Sequence, residues 1–283
     1  MCILAAVSAS PTFHQRLRSI WANSGSLVCV GLDPLIERLP AGISHDLDGV
    51  LAFSKAIVTA TAPHVAAFKP QAAHFGSLGG EDVLAELIHW IHTTHPDRLV
   101  ILDAKRGDIG STAERYAVEV FDRFGADAVT VNPFLGDESI EPYLEYSDRG
   151  VIALCRTSNK GSDWLQLQPK DDPLYLQIAR RAVQWNRSGN IGLVVGATWP
   201  QEMEEVRRVI GDIPVLVPGV GAQGGRIDAV VAAGADSRGE GLLISASRSI
   251  LFASSSADFA VAAALEAERM KLEINHERLK RNS

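Results

Sequence analysis

Short apolar runs alternate along the chain with longer amphipathic ones. Eight of the apolar runs read as strands: residues 27–33 (LVCVGLD), 64–71 (HVAAFKPQ), 98–106 (RLVILDAKR), 127–134 (DAVTVNPF), 150–158 (GVIALCRTS), 190–198 (NIGLVVGAT), 214–221 (PVLVPGVG) and 241–248 (GLLISASR). They are rich in Val, Ile, Leu and Ala and show little polar alternation, as parallel strands covered on both faces do. Segments with helical spacing separate them, among them 81–95 (EDVLAELIHWIHTTH) and 112–125 (TAERYAVEVFDRFG). Eight strand–helix units predict an α/β fold of the closed (β/α)8, or TIM-barrel, type with right-handed crossovers. An open, doubly wound sheet is the alternative. No Pro/Ser/Gly-rich linker divides the 283 residues, so one domain is expected. Its barrel core would span about 27–255, with a helix before it and, over 256–281, a long helix ending in a charged, solvated tail.

Composition narrows the function classes. The chain is 46% hydrophobic and 22% charged, as ordinary globular proteins are. A formal net charge of -7 argues against nucleic acid as a partner, whereas a small anion can still be bound where local charge opposes the net charge. No apolar run approaches the ~20 residues of a membrane span. No basic residue precedes Arg16, so the start lacks the basic region of a secretory signal. Three cysteines, Cys2, Cys29 and Cys155, form an odd, sparse set that reads as reduced thiols of a cytoplasmic protein.

In such a barrel, chemistry sits where strands end and loops begin. The polar residues at those ends are Asp33, Lys69, Asp103, Lys105, Ser158, Gln223 and Arg248. The densest run is 103–112 (DAKRGDIGST). Strand alternation puts Asp103 and Lys105 on one face, at the interior mouth, and turns Arg106 toward the helix layer. Asp108 falls on the loop beyond. A buried Asp–Lys pair could merely close the barrel, but buried ion pairs stabilise weakly and are better explained by function. Gly219–Gly224 fits GxGxxG, the dinucleotide fingerprint. It follows the seventh strand rather than the first, where barrel loops commonly hold one phosphate. His89, His92 and His95 lie near a helix C-terminus, with no acidic or Cys ligand close in sequence. They read as surface histidines complementing the helix dipole rather than as a metal site. His74 follows the second strand and lies closer to the mouth.

The run DAKRGDIxxT resembles the signature of the orotidine 5′-phosphate decarboxylase family. Further motifs lie in that family's order: GLDP (31–34), FKPQ (68–71), RTSN (156–159), PGVGAQGG (218–225) and ASRS (246–249). The forms FKPQ and RTSN resemble the longer bacterial subgroup. The resemblance implies conversion of orotidine 5′-monophosphate to uridine 5′-monophosphate and CO2, the last step of de novo pyrimidine biosynthesis, without cofactor or metal. It implies that Lys105 donates the proton and that Asp103 sits beside the substrate carboxylate. Asp33 and Lys69 would bind ribose hydroxyls, with Lys69 also extending the charge network. Ser158 would contact the pyrimidine. Gln223, Arg248 and backbone amides near Gly221 would hold the phosphate. Asp108, Ile109 and Thr112 would complete the neighbouring subunit's site in a homodimer. Two alternatives stand beside it. One is a Mg-dependent keto-sugar-phosphate decarboxylase, which shares an Asp-x-Lys-x-x-Asp core. The other is a catalytically inactive ligand-binding barrel.

Overall fold

The computed structural model describes residues 11–221 and 224–281. Its strands are β1 (Val28–Leu32), β2 (Ala67–Pro70), β3 (Leu99–Arg106), β4 (Ala128–Val131), β5 (Gly150–Arg156), β6 (Ile191–Val195), β7 (Val215–Val217) and β8 (Leu242–Ala246). Neighbours pair in parallel around the full circle, and β8 returns to β1 through Val28–Ile244, Cys29–Ser245 and Val30–Ala246. The sheet is therefore a closed (β/α)8 barrel, not an open doubly wound one. Every residue of β1, β2, β4, β6, β7 and β8 is buried. Side chains pointing inward fill the barrel and those pointing outward meet the helices, so the strands carry no polar alternation. Most are shorter than the apolar runs that encode them, because the polar end of a run leaves the ladder to form a mouth loop. Closure is tight at Gly31, where a Cβ would lie 2.0 Å from the Ser247 Oγ.

The N-terminal end of the barrel is plugged by the helix Phe13–Ser24. Thr12 and Gln15 form a capping box: each side chain accepts the other's backbone N–H. Phe13 is fully buried and packs where Gly150 begins β5; a Cβ at Gly150 would lie 2.5 Å from the Phe13 ring. Arg16 from the same helix donates to buried Asp127 at 2.5 Å, just before β4. His92 Nε2 reaches the other Asp127 oxygen at 2.9 Å, and so does the Val100 amide, also at 2.9 Å. The surface reading of the three histidines is thus corrected for His92. Its partner Asp127 lies 35 residues away in sequence, where local spacing gives no sign of it.

Two further elements differ from expectation. The segment 112–125 is an α-helix over Gly110–Val118 that widens into a π-helix at Glu119–Arg123. The last helix, Phe259–Arg281, does not trail into solvent. Its buried face, Phe259, Ala263, Ala267, Met270 and Ile274, repeats at helical spacing and packs on the helices Leu47–Thr61 and Ile227–Gly234. Its charged end is seated too. Arg278 donates to the Gly239 carbonyl at 2.6 Å, and Arg281 to those of Ala235 and Asp236 at 2.7 Å each. Among the described residues, no helix is long and apolar enough to cross a membrane.

Candidate active site at the barrel mouth

Of the predicted strand-end residues, Asp33, Lys69, Asp103 and Arg248 meet around one cavity at the C-terminal ends of β1, β2, β3 and β8, and Lys105 bonds to Asp103, whereas Ser158 follows β5 and does not line that cavity. Lys69, at the end of β2, is buried and donates to Asp103 Oδ2 at 2.7 Å. Lys105 donates to the other oxygen, Oδ1, at 2.6 Å, and its side chain keeps 48% of its exposure. One carboxylate thus bridges two ammonium groups. Burial alone would raise the Asp103 carboxyl, but Lys69 and then Lys105 outweigh it and hold it well below the usual carboxylate range. Burial likewise works against the Lys69 ammonium, and Asp103 and Asp33 overcome it and push its pKa up. Both groups are therefore ionised at neutral pH.

Asp103 and Lys105 do meet, but not by simple alternation. β3 is in register with β4 at Leu102–Val129 and again at Arg106–Val131, so it carries extra residues between. Within that bulge Lys105 has φ 47°, the left-handed region, and is the one non-glycine residue with positive φ among the described residues. Thr130 of β4 fills the gap and donates to Asp103 Oδ1 at 2.9 Å. Gln71 donates to Asp103 Oδ2 at 3.1 Å. The sequence reading missed both as site residues. Gln71 carried a usable signal, since it lies two residues after Lys69 and so points to the same face. Arg106 turns outward as expected, onto Glu119 Oε2 at 2.8 Å and over the Tyr116 ring at 4.7 Å.

A cavity of about 170 Å³ opens beside this cluster. Asp33, Lys69, Gln71 and Asp103 form one wall; the segments 218–220 and 245–249, which include Arg248, form the other. The Asp33 Oδ1 is buried with no hydrogen-bond partner and so remains an open acceptor in that wall. The glycine loop is drawn back on itself, Gly225 donating to Gly219 at 3.1 Å and Gly221 to Gly225 at 3.1 Å. Gly221 is exposed in this loop at φ 72°. Gln223 lies outside the described residues. His74 does not line the cavity; its ring nitrogen meets the Pro34 carbonyl at 2.9 Å.

Ser158 stands on a loop locked from behind. Fully buried Arg156 donates to Ser162 and Asp163 at 2.7 Å each, while Gln166 accepts the Thr157 amide at 2.9 Å. Gly196 lies against Ser158, where a Cβ would be 2.6 Å from the Ser158 Cα. Asp108, Ile109 and Thr112 do not line the cavity. Asp108 caps the Ile109 amide at 2.8 Å and forms no ion pair among the described residues. Ile109 is 50% exposed and Thr112 is exposed. The thiols of Cys29 and Cys155 are free and buried; burial pushes Cys29 up to about 12 and also raises Cys155, so neither supplies a thiolate. Among the described residues, no group of three or more His, Cys, Asp or Glu side chains is placed to hold a metal ion.

Fold and site together define a (β/α)8-barrel enzyme whose mouth holds a Lys–Asp–Lys cluster beside a glycine-rich loop. The chain belongs to the orotidine 5′-phosphate decarboxylase / HUMPS family, whose model it matches over residues 26–263. It is 52% identical over 269 residues to the orotidine 5′-phosphate decarboxylase of Cupriavidus necator, covering 94% of this chain and 99% of that one. Identity with the protein of the same name from Dechloromonas aromatica is 54% over 254 residues, covering 89% and 94% of the two chains. The structure of Leishmania donovani OMP decarboxylase superposes with a TM-score of 0.82 at 37% identity, covering 95% of this chain and 99% of that one.

Proposed function

We propose that this protein decarboxylates orotidine 5′-monophosphate to uridine 5′-monophosphate and CO2, the closing step of pyrimidine nucleotide synthesis. The observation that carries the proposal is the Lys69–Asp103–Lys105 cluster at the cavity mouth. Loss of CO2 breaks the bond to ring carbon C6 and leaves the electron pair there, in an orbital not conjugated with the ring carbonyls. Stabilisation must come from a positive charge held close to C6. Lys105 supplies that charge, then transfers a proton to C6 and recovers one from solvent. Asp103 holds the Lys105 ammonium and presents its own charge to the departing carboxylate. Lys69 fixes Asp103 from below. Asp33 has the open acceptor that a ribose hydroxyl needs. Arg248 and the amides around Gly221, together with Gln223, take the phosphate, and Ser158 takes the pyrimidine. Binding energy gathered at the phosphate then lowers the barrier at C6.

The chain is read as one domain, supported by a single apolar cluster that runs from Phe13 to Ile274. It is read as a cytoplasmic protein, on its sparse cysteines, of which Cys29 and Cys155 are free. It is read as a homodimer in which Asp108, Ile109 and Thr112 serve the partner's site. That reading is supported by a carboxylate, Asp108, without an ion pair among the described residues and by apolar side chains bared on adjacent mouth loops. Ile109 follows β3; Phe134, 72% exposed, and Leu135, 49% exposed, follow β4.

The test is to add purified protein to orotidine 5′-monophosphate with EDTA present and follow the ultraviolet change as the ring carboxylate is lost. Rapid conversion is expected. A folded sample that converts only a keto-sugar phosphate, and only with Mg2+, would replace this reading by the metal-dependent one. Subunit sharing is tested by mixing Asp108→Ala and Lys105→Ala proteins under proven exchange. About a quarter of wild-type activity should return, since half the dimers are mixed and each has one intact site.

A further inference from the structure

At the β3 bulge a single side chain takes the backbone amides of both Ala104 and Lys105. Thr130 is buried in β4, and its Oγ1 accepts the Ala104 N–H at 3.1 Å and the Lys105 N–H at 3.0 Å. A hydroxyl has two lone pairs and one proton. With both lone pairs engaged, the proton has one direction left, toward Asp103 Oδ1 at 2.9 Å. That is the oxygen to which Lys105 Nζ donates at 2.6 Å. One atom thus ties together the carboxylate of residue 103, the amide of 104 and the amide of 105. It also sits beneath the one left-handed non-glycine residue among the described residues, a conformation that persists only when its surroundings dictate it.

We propose that Thr130 is a positioning residue for the decarboxylation. It holds Lys105 in its left-handed turn and fixes the Asp103 oxygen that pairs with the Lys105 ammonium. The inference rests on Lys105 being the proton donor. Without the hydroxyl, two half-buried amides and one carboxylate lone pair lose their partner at once. The 103–105 segment then has no reason to keep φ positive at Lys105, and the ammonium moves from its place. The phosphate contacts proposed for Arg248 and the loop at Gly221, and the ribose contact proposed for Asp33, lie on other strands and make no bond to Thr130.

The test compares Thr130→Val, which keeps the shape and removes the hydroxyl, with Thr130→Ser, which keeps the hydroxyl and removes a methyl. Both are assayed for kcat and KM on orotidine 5′-monophosphate and for thermal unfolding. Thr130→Val should lower kcat about 100-fold, the loss typical of a catalytic group misplaced by an ångström, while KM stays within about threefold. Thr130→Ser should recover kcat to within about fivefold of wild type. A merely structural role would lower the melting temperature of both variants and leave kcat per folded molecule in place. Folded Thr130→Val with kcat within about threefold of wild type overturns the proposal, as does Thr130→Ser as slow as Thr130→Val. If Thr130→Val fails to fold, Thr130→Cys, whose thiol is a weak acceptor, takes its place with the same outcomes. A wild-type protein without turnover would remove the decarboxylase reading and this one with it. Normal wild-type turnover beside an unimpaired Thr130→Val removes this one alone.

Discussion

Two buried aspartates stand at opposite ends of the barrel, and each is held by cations. Asp103, at the mouth, bridges Lys69 and Lys105 and takes Gln71 and Thr130 as well. Asp127, at the closed end, takes Arg16, His92 and the Val100 amide. Burial pushes both carboxyls up, and in both their partners overcome it and hold them below the usual range. By pKa alone the two sites are alike. They differ in who holds the charge. At the closed end His92 and then Arg16 hold the carboxylate down, tying two helices to the strand starts, and one ligand is the Val100 backbone amide. The mouth uses two lysines, buried Lys69 in the wall of a cavity and half-exposed Lys105 on the far oxygen of Asp103. A perturbed carboxylate beside a cavity therefore does not identify a catalytic centre, since Arg16, His92 and Asp127 also line one; a place at the C-terminal ends of the barrel strands does.

The contrast can be broken at either end. The largest effect belongs to Lys105→Ala, expected to lower turnover about 10⁴-fold or more while the melting temperature stays within about 3 °C of wild type. Turnover assays and calorimetry check it; retained turnover would take the proton from Lys105. Next comes Asp127→Ala, which leaves Arg16 and His92 without their partner and the Val100 amide unpaired. Denaturant unfolding should show a loss of about 3–5 kcal/mol, with kcat per folded molecule unchanged. A large fall in kcat would erase the distinction between the two ends. The smallest effect is in pH. A carboxyl with a lowered folded-state pKa stabilises fully above its unfolded value of about 4, and that stability is lost as pH falls through the folded value. The stability margin of wild type over Asp127→Asn should hold above about pH 4 and narrow below it. On the alkaline side Lys69 responds at the mouth: its raised pKa gives stability that is full below about 10.4 and fades as pH rises through the folded value.

Much of this was legible in the sequence, for a physical reason. Strands covered on both faces must be continuously apolar, so a charge at the end of one stands out, as Asp33, Lys69, Asp103 and Lys105 do. What stayed hidden depends on partners distant in the chain. The β3 bulge is a mismatch of register against β4 and exists only once the two strands are paired. Thr130 looked like one more β-branched strand residue, because its role is set by amides of the neighbouring strand. The charged end of the last helix looked solvated because the carbonyls that seat it belong to the loop near Asp236. Asp127 and His92 gave no local sign for the same reason.

The left-handed backbone at Lys105 sets up a conflict of selection. A non-glycine residue there carries about 1–2 kcal/mol of conformational cost that glycine would not. Screening libraries at this position for thermal resistance alone would favour Gly or Asn, and with Lys105 as the proposed proton donor every such winner would be catalytically silent. Position 105 is thus where a search for robustness and a search for speed part company, and a thermostabilisation campaign must hold that codon fixed.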